Sequence, residues 1–159
     1  MKSTDSDSTI SSTFTARCQN GVYSVSMDQF FDENLLAPYE GMEIAIESEN
    51  LELPVKPVAG QKLKDGYVLV KVMSNGIVIM TINVNVTNRQ VVAIEDLTTP
   101  AGTFSSAKIT YDVESKFGFI KSKSQGAEWY ARNVGLVKSE TYDKKGKLES
   151  YTLITAMSK

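Results

Sequence analysis

Apolar and polar positions alternate with a period of two through most of this chain. Val78, Met80, Ile82, Val84 and Val86 fall on one side of an extended strand, and Ile79, Thr81, Asn83, Asn85 and Thr87 on the other. That is the pattern of an antiparallel sheet with one wet face. Tyr67 to Met73 precedes this strand across Ser74-Asn75-Gly76, and Val91 to Leu97 follows it after Asn88-Arg89-Gln90. Ala107 to Val113 alternates again, with Ala107, Ile109, Tyr111 and Val113 together. Lys116 to Lys123 is read as its continuation, with Phe117, Phe119 and Ile120 inward and Gly118 letting the strand coil. Met42 to Glu47 makes another strand. Leu53-Pro54 and Lys56-Pro57 break the pattern, which predicts an extended connection and not a central strand.

Turn chemistry divides these runs. Asn20-Gly21 is the strongest tight-hairpin dipeptide, here between short strands at Thr13 to Arg17 and Val22 to Ser26. Thr98 to Gly102 is a turn built from Pro100 and Gly102. From Glu128 to Ala131, Trp129 and Ala131 share one face and Tyr130 takes the other. Gly135 marks a bulge or bend after Asn133-Val134. Leu136 to Tyr142 resumes, Asp143-Lys144-Lys145-Gly146 closes a hairpin with Gly146 left-handed, and Leu148 to Thr155 returns.

One stretch has helical spacing. Ser26-Met27-Asp28-Gln29 has the form of a capping box, and Met27, Phe30, Phe31 and Leu35 fall on one stripe before Pro38 ends the run. The expected fold is therefore mainly β: a curved antiparallel sheet or open half-barrel with one short helix, near Ser26 to Leu36. Residues 1–12 read as a disordered tail and 13–159 as a single β-sheet domain. The helix must bury its stripe, either as a lid over the core or as a plug that a ligand displaces. On the second reading Phe30, Phe31 and Trp129 are ligand-binding residues beside one apolar concavity.

Composition removes several chemistries. Histidine is absent from the 159 residues, which excludes Ser-His-Asp and Cys-His nucleophile systems and imidazole metal sites. Cys18 is the sole cysteine, so neither an intrachain disulfide nor a thiolate zinc cluster can form. In a predicted strand it reads as a small buried hydrophobe. A formal net charge of −2 gives no footprint for nucleic acid. Lys144, Lys145 and Lys147 stand between Asp143 and Glu149, as a solvated turn would. No apolar run is long enough to span a bilayer, and no glycine-rich phosphate loop opens a helix. Asn85-Val86-Thr87 matches a glycosylation acceptor but lies mid-strand.

The carboxylates Asp28, Asp32 and Glu33 lie on the polar side of the expected helix, and Glu43 and Glu47 on one strand. A glycosidase needs two carboxyls flanking a cleft, and nothing in the sequence desolvates any of these, so they read as surface charge.

Three stretches carry a family likeness: GAEWYARNVGLVKSETYDKKGKL at Gly126 to Leu148, NRQVVAIEDLTTPAGTF at Asn88 to Phe104, and GQKLKDG at Gly60 to Gly66. Together they resemble a family of exported β-sheet proteins of unknown function, common in Bacteroidetes, over about Phe14 to Thr155. The resemblance implies a curved half-barrel sheet similar to periplasmic lipoprotein carriers, and export to the periplasm or cell envelope. Met1 to Ser12 lacks the apolar core of a signal peptide, so the leader is expected to be absent from this chain; read literally, Met1 as a native start implies a cytoplasmic protein. Relatives usually carry further strands before the segment matching Phe14, which predicts a first strand near Phe14 to Arg17 with an unsatisfied edge.

The expected function is a non-enzymatic exported binding or carrier-like module for an apolar or lipid-like ligand or partner segment, with no cofactor. The alternative is a structural or interaction protein of the envelope, assembling as a homo-oligomer through an exposed strand edge. An enzyme acting on envelope glycans through carboxylates comes third.

Overall fold

The computed structural model describes residues 2–5, 8–11, 16–27 and 33–157. The strands are β1 (Lys2–Asp5), β2 (Ser8–Ser11), β3 (Ala16–Gln19), β4 (Val22–Val25), β5 (Glu43–Glu49), β6 (Leu51–Pro54), β7 (Gly66–Ser74), β8 (Ile77–Thr99), β9 (Gly102–Phe117), β10 (Ile120–Ala131), β11 (Gly135–Asp143) and β12 (Leu148–Leu153). A nine-stranded sheet runs in the order β2-β1-β12-β11-β10-β9-β8-β7-β5, and a three-stranded sheet in the order β3-β4-β6. All described pairings are antiparallel, and the large sheet does not close into a barrel.

Local turn chemistry accounts for the hairpins. Asn20 and Gly21, and likewise Asn75 and Gly76, both have positive φ, the type I′ geometry whose twist matches that of the flanking strands. At the β11–β12 turn the Asp143 carboxylate accepts from the amides of Lys145 (2.8 Å) and Lys147 (2.9 Å), and Gly146 has φ +81°.

The expected break at Asn88-Arg89-Gln90 is a bulge inside one long strand. Asn88 takes φ +53°, the register slips between Thr87 and Gln90, and β8 continues to Thr99. The loop between β6 and β7 covers the exposed flank of this bulge: Gly60 N–H donates to Val91 O and Leu63 N–H to Arg89 O.

Five further expectations change. Residues 1–12, expected as a tail, contain β1 and β2; β1 pairs with β12 and β2 with β1. These stretches are rich in Ser and Thr, and the backbone supplies the pairing, with β2 at the edge of the sheet. The short helix is, among the described residues, a 3-10 segment over Glu33–Tyr39 that passes through Pro38. Short i→i+3 turns accept proline more readily than an α-helix interior does. Lys116 to Lys123 is not one strand. Gly118 at φ +59° turns the chain, and Phe119 at the tip is fully exposed, at 105%. Cys18 is exposed, since β3 is an edge strand. Leu51–Pro54 is strand β6 where a connection is expected, although, as expected, it is not a central strand: Pro54 ends an edge strand of the small sheet whose Leu51 and Leu53 are buried.

The core lies between the two sheets. Val25, Met27, Leu51 and Leu53 pack against Val68, Val70, Ile82, Val86, Val91 and Ile109. A second cluster, with Ala127, Trp129, Ala131 and Val137 at its centre and Leu97 and Phe104 against it, covers the opposite face of the large sheet. Strand alternation assigns the two clusters to two faces: in β10, Glu128 and Tyr130 stand opposite Ile109 and Ala107, while Trp129 stands opposite Lys108.

Candidate functional site

Where the inner face meets the small sheet, the packing leaves a pocket of about 560 Å³. That falls within the range of small-molecule sites. Tyr23 and Val25 of β4, Leu53 of β6, Ile94 of β8, Ala107 of β9 and Tyr130 of β10 give it apolar walls. Lys56 and Arg132 also line it and are exposed to solvent.

A buried polar cluster stands behind the Tyr130 wall. Glu128 is 7% exposed. The Tyr130 hydroxyl donates to its Oε2 at 2.8 Å and the Tyr111 hydroxyl to its Oε1 at 3.0 Å. Gly126 makes this possible: the Tyr111 ring lies directly on its backbone, and a Cβ there would fall inside the ring's van der Waals surface. Burial pushes the Glu128 carboxyl above its usual range, opposed by the two tyrosine hydrogen bonds and by the charge of Arg89. Both phenols are pushed well up, first by burial and then by the charge of Glu128.

Arg89 is delivered here by the bulge in β8. Such an extra residue re-aims a side chain, and the guanidinium reaches inward to donate to Glu52 O (3.0 Å) and Lys64 O (2.7 Å). It thereby ties β6 and the following loop to the large sheet. Its Nε is buried with no hydrogen-bond partner.

The outer face holds a different arrangement. The Trp129 indole N–H donates to Glu95 Oε1 at 2.6 Å, and the amines of Lys108 and Lys138 lie 4.9 and 4.7 Å from the ring centroid. These are cation–π distances. Lys138 pairs with Glu140 at 2.6 Å, and the Tyr142 hydroxyl donates to the same carboxylate. Burial would raise Glu140, but the hydrogen bonds from Lys138 and Tyr142 hold it below the usual range, while Tyr142 is pushed up to about 12 by its bond to Glu140.

Of the residues expected at a common concavity, Phe30 and Phe31 lie outside the described residues. Trp129, at 4% exposure, sits on the face opposite Met27, the member of the same stripe whose side chain is described. Asp28 and Asp32 also lie outside the described residues. Glu43 is exposed on β5, and exposed Glu47 pairs with Lys71. Sequence reasoning missed Arg89, Tyr111, Glu128 and Tyr130. The usable signal was a lone acid within the apolar run of β10, two residues after a glycine.

A comparison with curated proteins finds no match. Two solved structures are similar to this chain. One is a candidate exported protein with a YmcC-like fold from Bacteroides fragilis, 27% identical, with a TM-score of 0.67 over 92% of this chain and 71% of its own. The other is a candidate lipoprotein from Parabacteroides distasonis, 26% identical, with a TM-score of 0.66 over 91% of this chain and 70% of its own. A family model matches residues 1–154. That span takes in both sheets, the pocket and the polar cluster, and the chain belongs to the DUF3108-like family.

Proposed function

We propose that this protein is a non-enzymatic, exported binding module that holds an apolar or lipid-like ligand between its two sheets. The pocket of about 560 Å³ is the observation that carries this reading. Its walls are mainly aliphatic and aromatic, and its two cations, Lys56 and Arg132, are exposed. Such a site suits an acyl chain with an anionic end. The neighbouring buried acid favours binding over catalysis, because both Glu128 oxygens are already occupied by tyrosine hydroxyls. Export and an envelope location are supported by the two similar proteins, a candidate exported protein and a candidate lipoprotein.

A second reading has its own observation. Strand β5 is an edge of the large sheet, and Met42, Ile44 and Ile46 beside its free side are exposed. An open edge with apolar side chains can recruit a further strand. Native mass spectrometry of gently purified protein separates the two: a retained small ligand supports the pocket, and a discrete oligomer supports the edge. Titration with a fluorescent fatty acid then tests the site. Saturable binding is expected, and Ile94→Trp, which fills the pocket from a half-exposed position, should abolish it with the melting temperature kept. Absence of saturable binding, or undiminished binding by the variant, rejects the pocket.

A further inference from the structure

The far end of the long strands, away from the pocket, carries a feature the binding reading does not use. Two hairpins of neighbouring strands end there, one staggered behind the other. The β7–β8 tip exposes Ile77 (68%), Val78 and Ile79; the β9–β10 tip exposes Phe119 (105%) and Ile120 (70%). Gly118 N–H donates to Thr81 O at 3.0 Å and Phe117 pairs with Ile82, so the β9–β10 tip ends against the flank of the longer β7–β8 hairpin, whose own turn lies further out at Asn75-Gly76. Hydrophobes scattered singly over a surface need no explanation, but five exposed ones gathered on two neighbouring hairpin ends do.

The charges around the patch narrow the choice of partner. Lys116 and Lys121 stand directly opposite each other on β9 and β10. Like charges in that relation are destabilising, and among the described residues neither forms an ion pair with a carboxylate. Lys123 is next to them, paired at 3.3 Å with Glu114. A protruding aromatic and aliphatic tip above unneutralised lysines is the arrangement that enters the headgroup zone of an anionic bilayer: rings and aliphatic chains pass below the headgroups, and amines remain level with the phosphates.

We infer that the paired β7–β8 and β9–β10 tips are a membrane-docking edge, which seats this protein on a bilayer bearing anionic phospholipid. The edge is structurally independent of the pocket, so the two can be tested apart. The experiment is co-sedimentation of the full chain with phosphatidylcholine vesicles, with and without phosphatidylglycerol, over a range of salt. The wild type is expected to bind vesicles containing phosphatidylglycerol, and to release as salt rises. Phe119→Ser with Ile120→Ser should weaken partitioning by roughly tenfold or more. Lys116→Gln with Lys121→Gln should weaken it several-fold and flatten the salt dependence. Phe119, Ile120 and Lys121 are exposed and Lys116 is half-buried, so an unchanged melting temperature verifies the fold, and Ile94→Trp should bind vesicles as the wild type does. The inference is overturned if the wild type fails to sediment with anionic vesicles, or if both double variants bind as well as the wild type. It is also overturned if Phe119→Ser with Ile120→Ser instead dissolves a concentration-dependent dimer and leaves vesicle binding intact, which would make the tips a contact between copies of this chain.

Discussion

Glu128 and Glu140 occupy adjacent strands of one sheet, one register step apart, and have opposite electrostatics. Ala127 is the partner of Glu140, and Glu128 is the partner of Ser139. Each carboxylate receives at least one tyrosine hydroxyl. Yet Glu128 is held above the usual carboxylate range and Glu140 below it. The inner face buries Glu128 behind the small sheet, and its cation, Arg89, spends its hydrogen bonds on backbone carbonyls. The outer face leaves Glu140 nearer to water with a lysine in direct contact. Desolvation wins on one side and pairing on the other, so the sheet face decides what charge costs at a position.

The most damaging way to break the comparison is Gly126→Ala. The new methyl would displace the Tyr111 ring from a close-packed position and pull its hydroxyl from Glu128, costing about 3 kcal/mol. Denaturant unfolding measures it; a loss under about 1 kcal/mol would mean that the ring shifts freely.

A smaller effect separates the two acids by sign. Because its folded value is raised, Glu128 contributes stability that is fully present below the unfolded carboxylate pKa and is lost as pH rises through the folded value. Glu128→Gln does not titrate. It should therefore gain on the wild type between acid and neutral pH, on the order of 1 kcal/mol. Melting curves at several pH values give the comparison, and parallel curves would contradict it.

The smallest effect sharpens the contrast. Glu140, with a lowered folded value, contributes stability above the unfolded carboxylate pKa that is lost as pH falls through the folded value. Glu140→Gln should cost less than about 1 kcal/mol at neutral pH, and the loss should vanish in acid. A loss that persists in acid would point to packing and not charge.

What the sequence disclosed was local. Asn20-Gly21, Asn75-Gly76 and Asp143 to Gly146 each fix their own turn through backbone preferences, and all three adopt it. Alternation correctly grouped Ala107, Ile109 and Tyr111 on the buried face, and it placed Tyr130 opposite in sense to Trp129. Alternation does not say which group faces the small sheet, and Trp129 lies on the face opposite Met27. Phe117-Gly118-Phe119 carries an ambiguous signal: the same glycine permits a coil within a strand or a turn between two. The polar cluster was illegible for another reason. The charge of Arg89 acts on Glu128 only because a bulge in β8 and the pairing of three strands bring the two near each other, and neither leaves a trace at a fixed spacing.

The order of strands in the large sheet also has a kinetic meaning. From β7 to β12 every strand lies beside its immediate successor in the chain, so each hairpin can zip onto the previous one with little loop entropy to overcome. The pairing of β1 with β12 is the exception: Lys2 meets Leu153, almost the whole length of the chain away. Closing that loop is slow and comes with its reward deferred until β12 is in place. Strand β1 is thus among the last of these strands to find its neighbour, and it stays available to other partners for as long as the meander is still assembling.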